Sequence, residues 1–413
     1  MLRIVSTASR DDAPLRPRFL SRFRRVTTSG GFIAEVDGLR FVAIFSVFLF
    51  HLAVGLEIKA PPAYGRPADS WLAMAAWNGF HGVELFFVIS GFILALPFAG
   101  HFLRGERPVD LKQYFLRRVT RLEPPYLLCM LILFALHVLV RGRSAAELRP
   151  HLWASLVYLH NLVFASESPI NNVAWSLEIE IQFYLLMPFF ALLFAIRGKA
   201  RRRVAIAGLW LLSIGLSWFF ISPGQRAYLS ILRFAHFFLM GILLADLYLT
   251  DWRDRPERAA AWDLLSAVGW PILFLFWGAA QPAAPGQAPP SETLWAALVF
   301  PALAFLLYCA AFRGPLTGRA LRNPWITTIG GMCYTIYLLH NPALAMILAR
   351  TRGVATSGWY ALDLLVQLAL TAPLVLLPSC LYFALVERPC MRRDWPRRLL
   401  ERIQSLRPAM TSE

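Results

Sequence analysis

The stretch "VDGLRFVAIFSVFLFHLAVG", residues 36–55, decides the fold. At about 1.5 Å of rise per residue its twenty residues make a helix roughly 30 Å long, the thickness of a bilayer's hydrocarbon core. The run is apolar except for Asp37, Arg40 and His51. An α-helix turns about 100° per residue, so Arg40 and His51, eleven positions apart, are separated by about 1100°, three turns plus roughly 20°. They share a face. Asp37 falls about 40° to the other side of His51, and the three form one stripe roughly 20 Å long. Ionisable groups inside hydrocarbon are costly and face a cavity or a partner rather than lipid. Other spans must therefore surround this one.

The composition agrees. Of 413 residues 57% are hydrophobic and only 16% charged, against about a quarter charged in an ordinary soluble chain. The formal charge of +16 sits in short blocks between apolar runs, which is not a nucleic-acid-binding architecture. Five Cys, four of them (Cys129, Cys309, Cys333, Cys380) inside apolar segments, give neither a disulfide framework nor a metal spacing, and no metal is expected. The first 30 residues carry seven Arg and no apolar stretch of signal-peptide length, so the first hydrophobic segment is expected to remain as an anchor behind a disordered basic tail over residues 1–34.

Segments of spanning length fall near 37–57, 80–98, 124–140, 173–196, 203–222, 228–249, 262–280, 294–312, 325–349 and 360–386. An eleventh, 151–165, is shorter and carries two His and an Asn. Basic blocks at 104–121, 197–203 and 251–258, with both tails, belong on the cytoplasmic side by the positive-inside rule. The number of crossings between the first two blocks must then be even. Counting 151–165 makes it odd, so that segment is expected to be a re-entrant or interfacial helix on the outer side. The expected architecture is an all-α polytopic membrane protein of about ten transmembrane helices plus this short one, with both termini cytoplasmic. The domain runs over 35–390 and a second basic tail over 391–413. The loop at 281–293 falls outside and has no Lys or Arg, whereas outer Arg at 141–149 and 350–352 run against the rule. No internal repeat of the transporter type is present.

With directions set, His51 lies near the outer end of the first span, Glu84 near the outer end of the second, and Glu178 and Glu180 at a similar level in the fourth. Arg40 lies at the inner end with Arg117, Arg118 and Arg121. A lone intramembrane His is ordinarily a packed, hydrogen-bonded group, but carboxylates at its depth make a His held by Glu84 or Glu180 the natural general base. Asp37 is open between a helix cap and function. The spacing "RRVTR" sets Arg117 or Arg118 beside Arg121 on one face, where guanidinium groups can clamp an anion; their other explanation is topology signalling alone. Ser90 and Gly91 suit a close helix approach.

At these residues the chain resembles the acyltransferase 3 family of membrane O-acyltransferases. The likeness runs through "DGLRFVAIFSVFLFH", "HGVELFFVISGFIL", "RRVTRLEPPYLL", "NNVAWSLEIEIQFYLL", "MCYTIYLLHNP" and "LVERP", in the family's order, from residue 35 to about 390. It is to the membrane domain, and no C-terminal hydrolase-like domain is expected in the 24 residues after Pro389. Glu180 matches the first Glu of the family's "WSLxxE" block; Ile181 replaces the second, and Glu178 fills a position usually small and polar.

The resemblance implies that cytoplasmic acyl-CoA, with acetyl-CoA expected, gives its acyl group to a hydroxyl of an outward-facing carbohydrate or glycolipid, at a bacterial inner membrane. Arg40, Arg117, Arg118 and Arg121 would hold the nucleotide. His51 would act as base, Glu84 or Glu180 would orient it, and Trp175 and Ser176 would shape the acceptor entrance. Asp37, Ser90 and His340 are further substrate-contact candidates, His340 along the donor channel; Glu387 is expected to pair with a basic group. Two alternatives stay open: a covalent acyl-histidine relay in place of direct transfer, and a proton-coupled exporter in which His51 and the carboxylates relay protons.

Overall fold

The computed structural model describes residues 18–26, 32–59, 71–253, 256–277, 291–351, 353–354, 357–392 and 394–397. The expected tail segments 1–17, 27–31 and 398–413, and most of the loop at 281–293, lie outside them. Every described element is helical. Long apolar segments give helices α1 (Ala34–Lys59), α3 (Gly82–Arg104), α4 (Leu111–Leu139), α7 (Trp175–Phe190), α8 (Lys199–Phe220), α9 (Ile231–Thr250), α11 (Ser291–Arg313), α14 (Cys333–Thr351) and α15 (Tyr360–Tyr382). Between them lie the shorter α2 (Trp71–Trp77), α5 (Ala145–Leu156), α6 (His160–Phe164), α10 (Ala260–Phe276), α12 (Pro315–Leu321) and α13 (Pro324–Gly331).

The chain is an all-helical polytopic membrane protein. Seven helical stretches among the described residues are long and apolar enough to cross a bilayer, and two bent pairs raise the number to nine. The expected count of about ten is not reached. Helix α10, 17 residues long, is short for a span. The run 325–349 is not one rod but α13 and α14, meeting at 72° around Met332. Helices α11 and α12 meet at 87°, where Gly314 precedes a proline in the first turn of α12.

Burial separates centre from rim. In the span ending with α3, 72% of the most apolar window is buried, and in that of α9, 67%; for α8 the figure is 17%. Exposed Leu211, Leu212, Phe219 and Phe220 on α8, like Leu374, Leu377 and Leu381 on α15, form the apolar outer surface that lipid requires. Helices α3 and α9 pack most extensively of any pair. Lipid tails are as apolar as Leu, so close contact rather than water exclusion holds such helices together. Gly91 and Gly241 permit it: a Cβ on either would collide with the backbone of the facing helix, at Phe238 and Val88 respectively. The close approach expected at Gly91 is therefore made.

The short polar segment 151–165 does not cross. It divides into the end of α5 and the five-residue α6, bounded by the left-handed non-glycine residues Tyr158 and Ala165. Tyr158 stacks on Tyr126, with centroids 4.5 Å apart, and the Tyr126 hydroxyl donates to the Ser155 carbonyl at 2.9 Å. Tyr126 stands near the middle of the 29-residue α4, so the turn reaches about halfway along that helix.

Candidate active site

The first turn of α1 places Asp37 between two guanidinium groups. Its Oδ1 accepts from Arg40 Nη1 at 2.6 Å, and its Oδ2 lies 3.4 Å from Arg25 Nε. Arg25 belongs to the segment expected as tail, yet its side chain is 9% exposed. Burial, and next the like charge of Arg40, lowers the Arg25 guanidinium from its ordinary value, with Asp37 opposing both. Arg121 adds to this positive field.

Helix α4 brings Arg118 and Arg121 to the same end. Arg118 donates from Nη1 to the Tyr114 carbonyl at 2.6 Å, and its guanidinium carbon sits 3.4 Å from the Tyr114 ring centroid, a cation–π contact. The Nε atoms of Arg25, Arg118 and Arg121 are buried without a hydrogen-bond partner. Arg117 and Arg121 both act electrostatically on Arg118. Glu387, wholly buried on a π-turn that follows α15, accepts from the Thr335 hydroxyl, keeps Oε1 unpaired, and lies within electrostatic reach of Arg121 and Arg25. The expected pairing with a basic group is thus not made as a direct contact among the described residues; the hydrogen-bond partner is Thr335.

Glu180 joins this pole rather than His51. Its Oε1 accepts from Ser90 Oγ and from Tyr184 OH, each at 2.6 Å, and it lies within electrostatic reach of Arg40. Glu84 is also engaged elsewhere: its Oε1 lies 3.3 Å from His81 Nδ1, and that imidazole stacks on Trp277 at 4.4 Å. Neither carboxylate orients His51. The partner is His340, whose Nε2 lies 3.2 Å from His51 Nδ1. The sequence reading set Glu180 at the depth of His51, whereas it sits within electrostatic reach of Arg40; nor was it readable which face of α3 and α7 turns toward α1.

The remaining candidates line the same end as the imidazoles. Ser176 and the Tyr337 hydroxyl are 2.7 Å apart, and Tyr337 precedes His340 by less than one turn. Trp175 is buried among Phe80, Phe87 and Phe234. Phe80 in turn touches Phe50, edge to face, and Phe50 touches His51. The site therefore has an arginine pole and an imidazole pole, about 16 Å apart along α1 at 1.5 Å per residue.

Residues 33–385 match the acyltransferase domain family, acyltransferase 3. The chain belongs to it. Among curated relatives, the O-acetyltransferase OatA of Staphylococcus aureus strain NCTC 8325 / PS 47 is 24% identical over 341 residues, covering 76% of this chain and 51% of its own length. The OatA of strain COL matches to the same extent. The chain thus spans about half the length of the curated relatives it matches. No solved structure matches it.

In this member of the acyltransferase 3 family, sequence reasoning passed over Arg25, Tyr114, Tyr184 and Thr335. Their signals are weak, because a tail arginine and hydroxyls within apolar helices look the same whether or not they meet a buried charge. Glu178, whose role the sequence left open, is a fastener. Its two carboxylate oxygens accept from the backbone N–H groups of His160 at 3.2 Å and Asn161 at 2.8 Å, holding the start of α6.

Proposed function

We propose that this protein is a membrane O-acyltransferase that takes an acyl group from acyl-CoA at the arginine pole and places it on a hydroxyl of an outward-facing carbohydrate at the imidazole pole. One observation carries the reading: three arginines, Arg25, Arg118 and Arg121, gather at the arginine pole with buried Nε donors that make no hydrogen bond, Arg25 Nε having only its 3.4 Å ion pair with Asp37, and a half-buried His51 stands further along α1. Buried donors without partners are costly, and phosphate oxygens satisfy them well. The residues present fit a nucleotide bearing several phosphates, and Glu387 Oε1 would accept from an N–H of the same ligand. The O-acetyltransferase relatives support acetyl as the group moved. The basic blocks support a cytoplasmic arginine pole, as in a bacterial inner-membrane protein with both termini inside.

In the reaction His51 takes the proton of the acceptor hydroxyl as its oxygen attacks the thioester carbonyl carbon. A C–O bond forms, the C–S bond breaks, and the electron pair leaves on sulfur, which receives the proton back from the imidazolium. Arg40, Arg118 and Arg121, with Arg25, anchor the donor; Ser176 and Tyr337 present hydroxyls beside the reacting group.

Purified protein should bind coenzyme A, and Arg118→Ala or Arg121→Ala should weaken that binding at least tenfold, about 1.4 kcal/mol or more. His51→Ala should bind coenzyme A normally while the O-acyl groups disappear from surface glycans, read by mass spectrometry of cells with and without the gene. Transfer that survives His51→Ala, or binding indifferent to both arginines, would overturn the assignment.

A further inference from the structure

We infer that His340 is the positioning residue of the reaction proposed above: its wholly buried imidazole on α14, 3.2 Å from His51, fixes the tautomer that leaves the His51 lone pair on Nε2. The inference rests on the reading of His51 as base. Protons are assigned by counting donors and acceptors. His340 Nδ1 faces two backbone carbonyls, Tyr337 O at 2.8 Å and Ile336 O at 3.2 Å. Carbonyl oxygens only accept, so Nδ1 carries the hydrogen. A neutral imidazole has one N–H, so His340 Nε2 is an acceptor.

That acceptor faces His51 Nδ1, whose other neighbour is the Val47 carbonyl at 3.0 Å. Both neighbours of His51 Nδ1 accept, so this nitrogen must donate. The lone pair of His51 is left on Nε2, and among the described residues no protein group takes it up. His340 thus does for His51 what a carboxylate does in the commoner His–acid pair, setting the tautomer and accepting from Nδ1–H while Nε2 gains a proton. A neutral acceptor suits the place: His340 is 0% exposed, and a carboxylate there would need further partners to offset its desolvation. Among the described residues no carboxylate hydrogen-bonds to either ring. Through the whole cycle His340 exchanges no proton; it holds one hydrogen bond.

The test uses the full chain in lipid bilayers, labelled with ¹⁵N-histidine and read by solid-state NMR, His51 being assigned by its loss in His51→Gln. His51 should show a protonated Nδ1 and an unprotonated Nε2, and His340→Phe, which keeps a ring but no acceptor, should abolish that preference. Surface-glycan acylation should fall about a hundredfold in His340→Phe but stay within about tenfold of wild type in His340→Gln, whose carbonyl oxygen can replace Nε2 as acceptor. Coenzyme A binding should be unchanged in both. A His51 protonated on Nε2, or equal losses in the Phe and Gln variants, would overturn the positioning role. Transfer that persists in His51→Ala beside the expected NMR pattern would overturn the reaction assignment and leave only the tautomer standing.

Discussion

Asp37 shows how one side chain can look like a helix cap and do something else. It lies three residues beyond Ala34, where α1 begins, is 1% exposed, and meets two arginines rather than backbone N–H groups. A cap would tolerate Asn, which accepts hydrogen bonds as well as Asp at helix starts. An ion-pair centre would not. Removing one partner of a buried pair leaves uncompensated charge and costs roughly 3–5 kcal/mol. Asp37→Asn should therefore lower the thermal stability of the detergent-solubilised protein and weaken coenzyme A binding, because Arg25 and Arg40 lose the group that spaces them. Unchanged melting and binding would return Asp37 to the role of a cap.

Helix existence was legible in the sequence because apolar runs of spanning length are long and continuous, and the Arg40–His51 stripe was legible because the helical period fixes azimuth within one helix. The bends at Gly314 and Met332 were not, since an apolar run reads alike whether straight or broken. Nor was the His51–His340 contact. The two residues are 289 positions apart in the chain, and choosing among Glu84, Glu180 and His340 requires the rotation of three other helices. The close contact of α3 with α9 is testable at this scale. A Cβ at Gly241 would meet the backbone of Val88, Gly91 and Phe92, which cannot move aside as a side chain would. Gly241→Ala should therefore destabilise by about 1–3 kcal/mol, the usual range for overpacking. Gly208→Ala, on lipid-facing α8 with nothing within 4 Å, should be neutral or mildly stabilising. Equal melting temperatures for the two variants would show that the interface is looser than its geometry.

Across the whole molecule the two poles make, on the proposed reading, a vectorial enzyme. Guanidinium groups gather at the start of α1 and imidazoles about 16 Å further along it, with Glu180, Ser90 and Tyr184 joined by hydrogen bonds at the arginine side. The positive-inside blocks and the Arg25–Arg40–Arg121 field point the same way, and the proposed function would put the phosphates of a donor on the cytoplasmic side and the acceptor hydroxyl on the other. A soluble-type site would take both substrates from one compartment; the proposed function requires them on opposite sides. Proteoliposomes of sided orientation separate the cases. With acceptor glycan added opposite the arginine pole, acyl transfer should proceed when acyl-CoA is on the arginine side, and should fall to background when donor and acceptor are both placed with the imidazoles. Arg118→Ala should reduce transfer in the productive arrangement and change nothing in the other. Equal rates with both substrates on the imidazole side would mean that the donor does not reach His51 through the protein, and the separation of the poles would need another explanation.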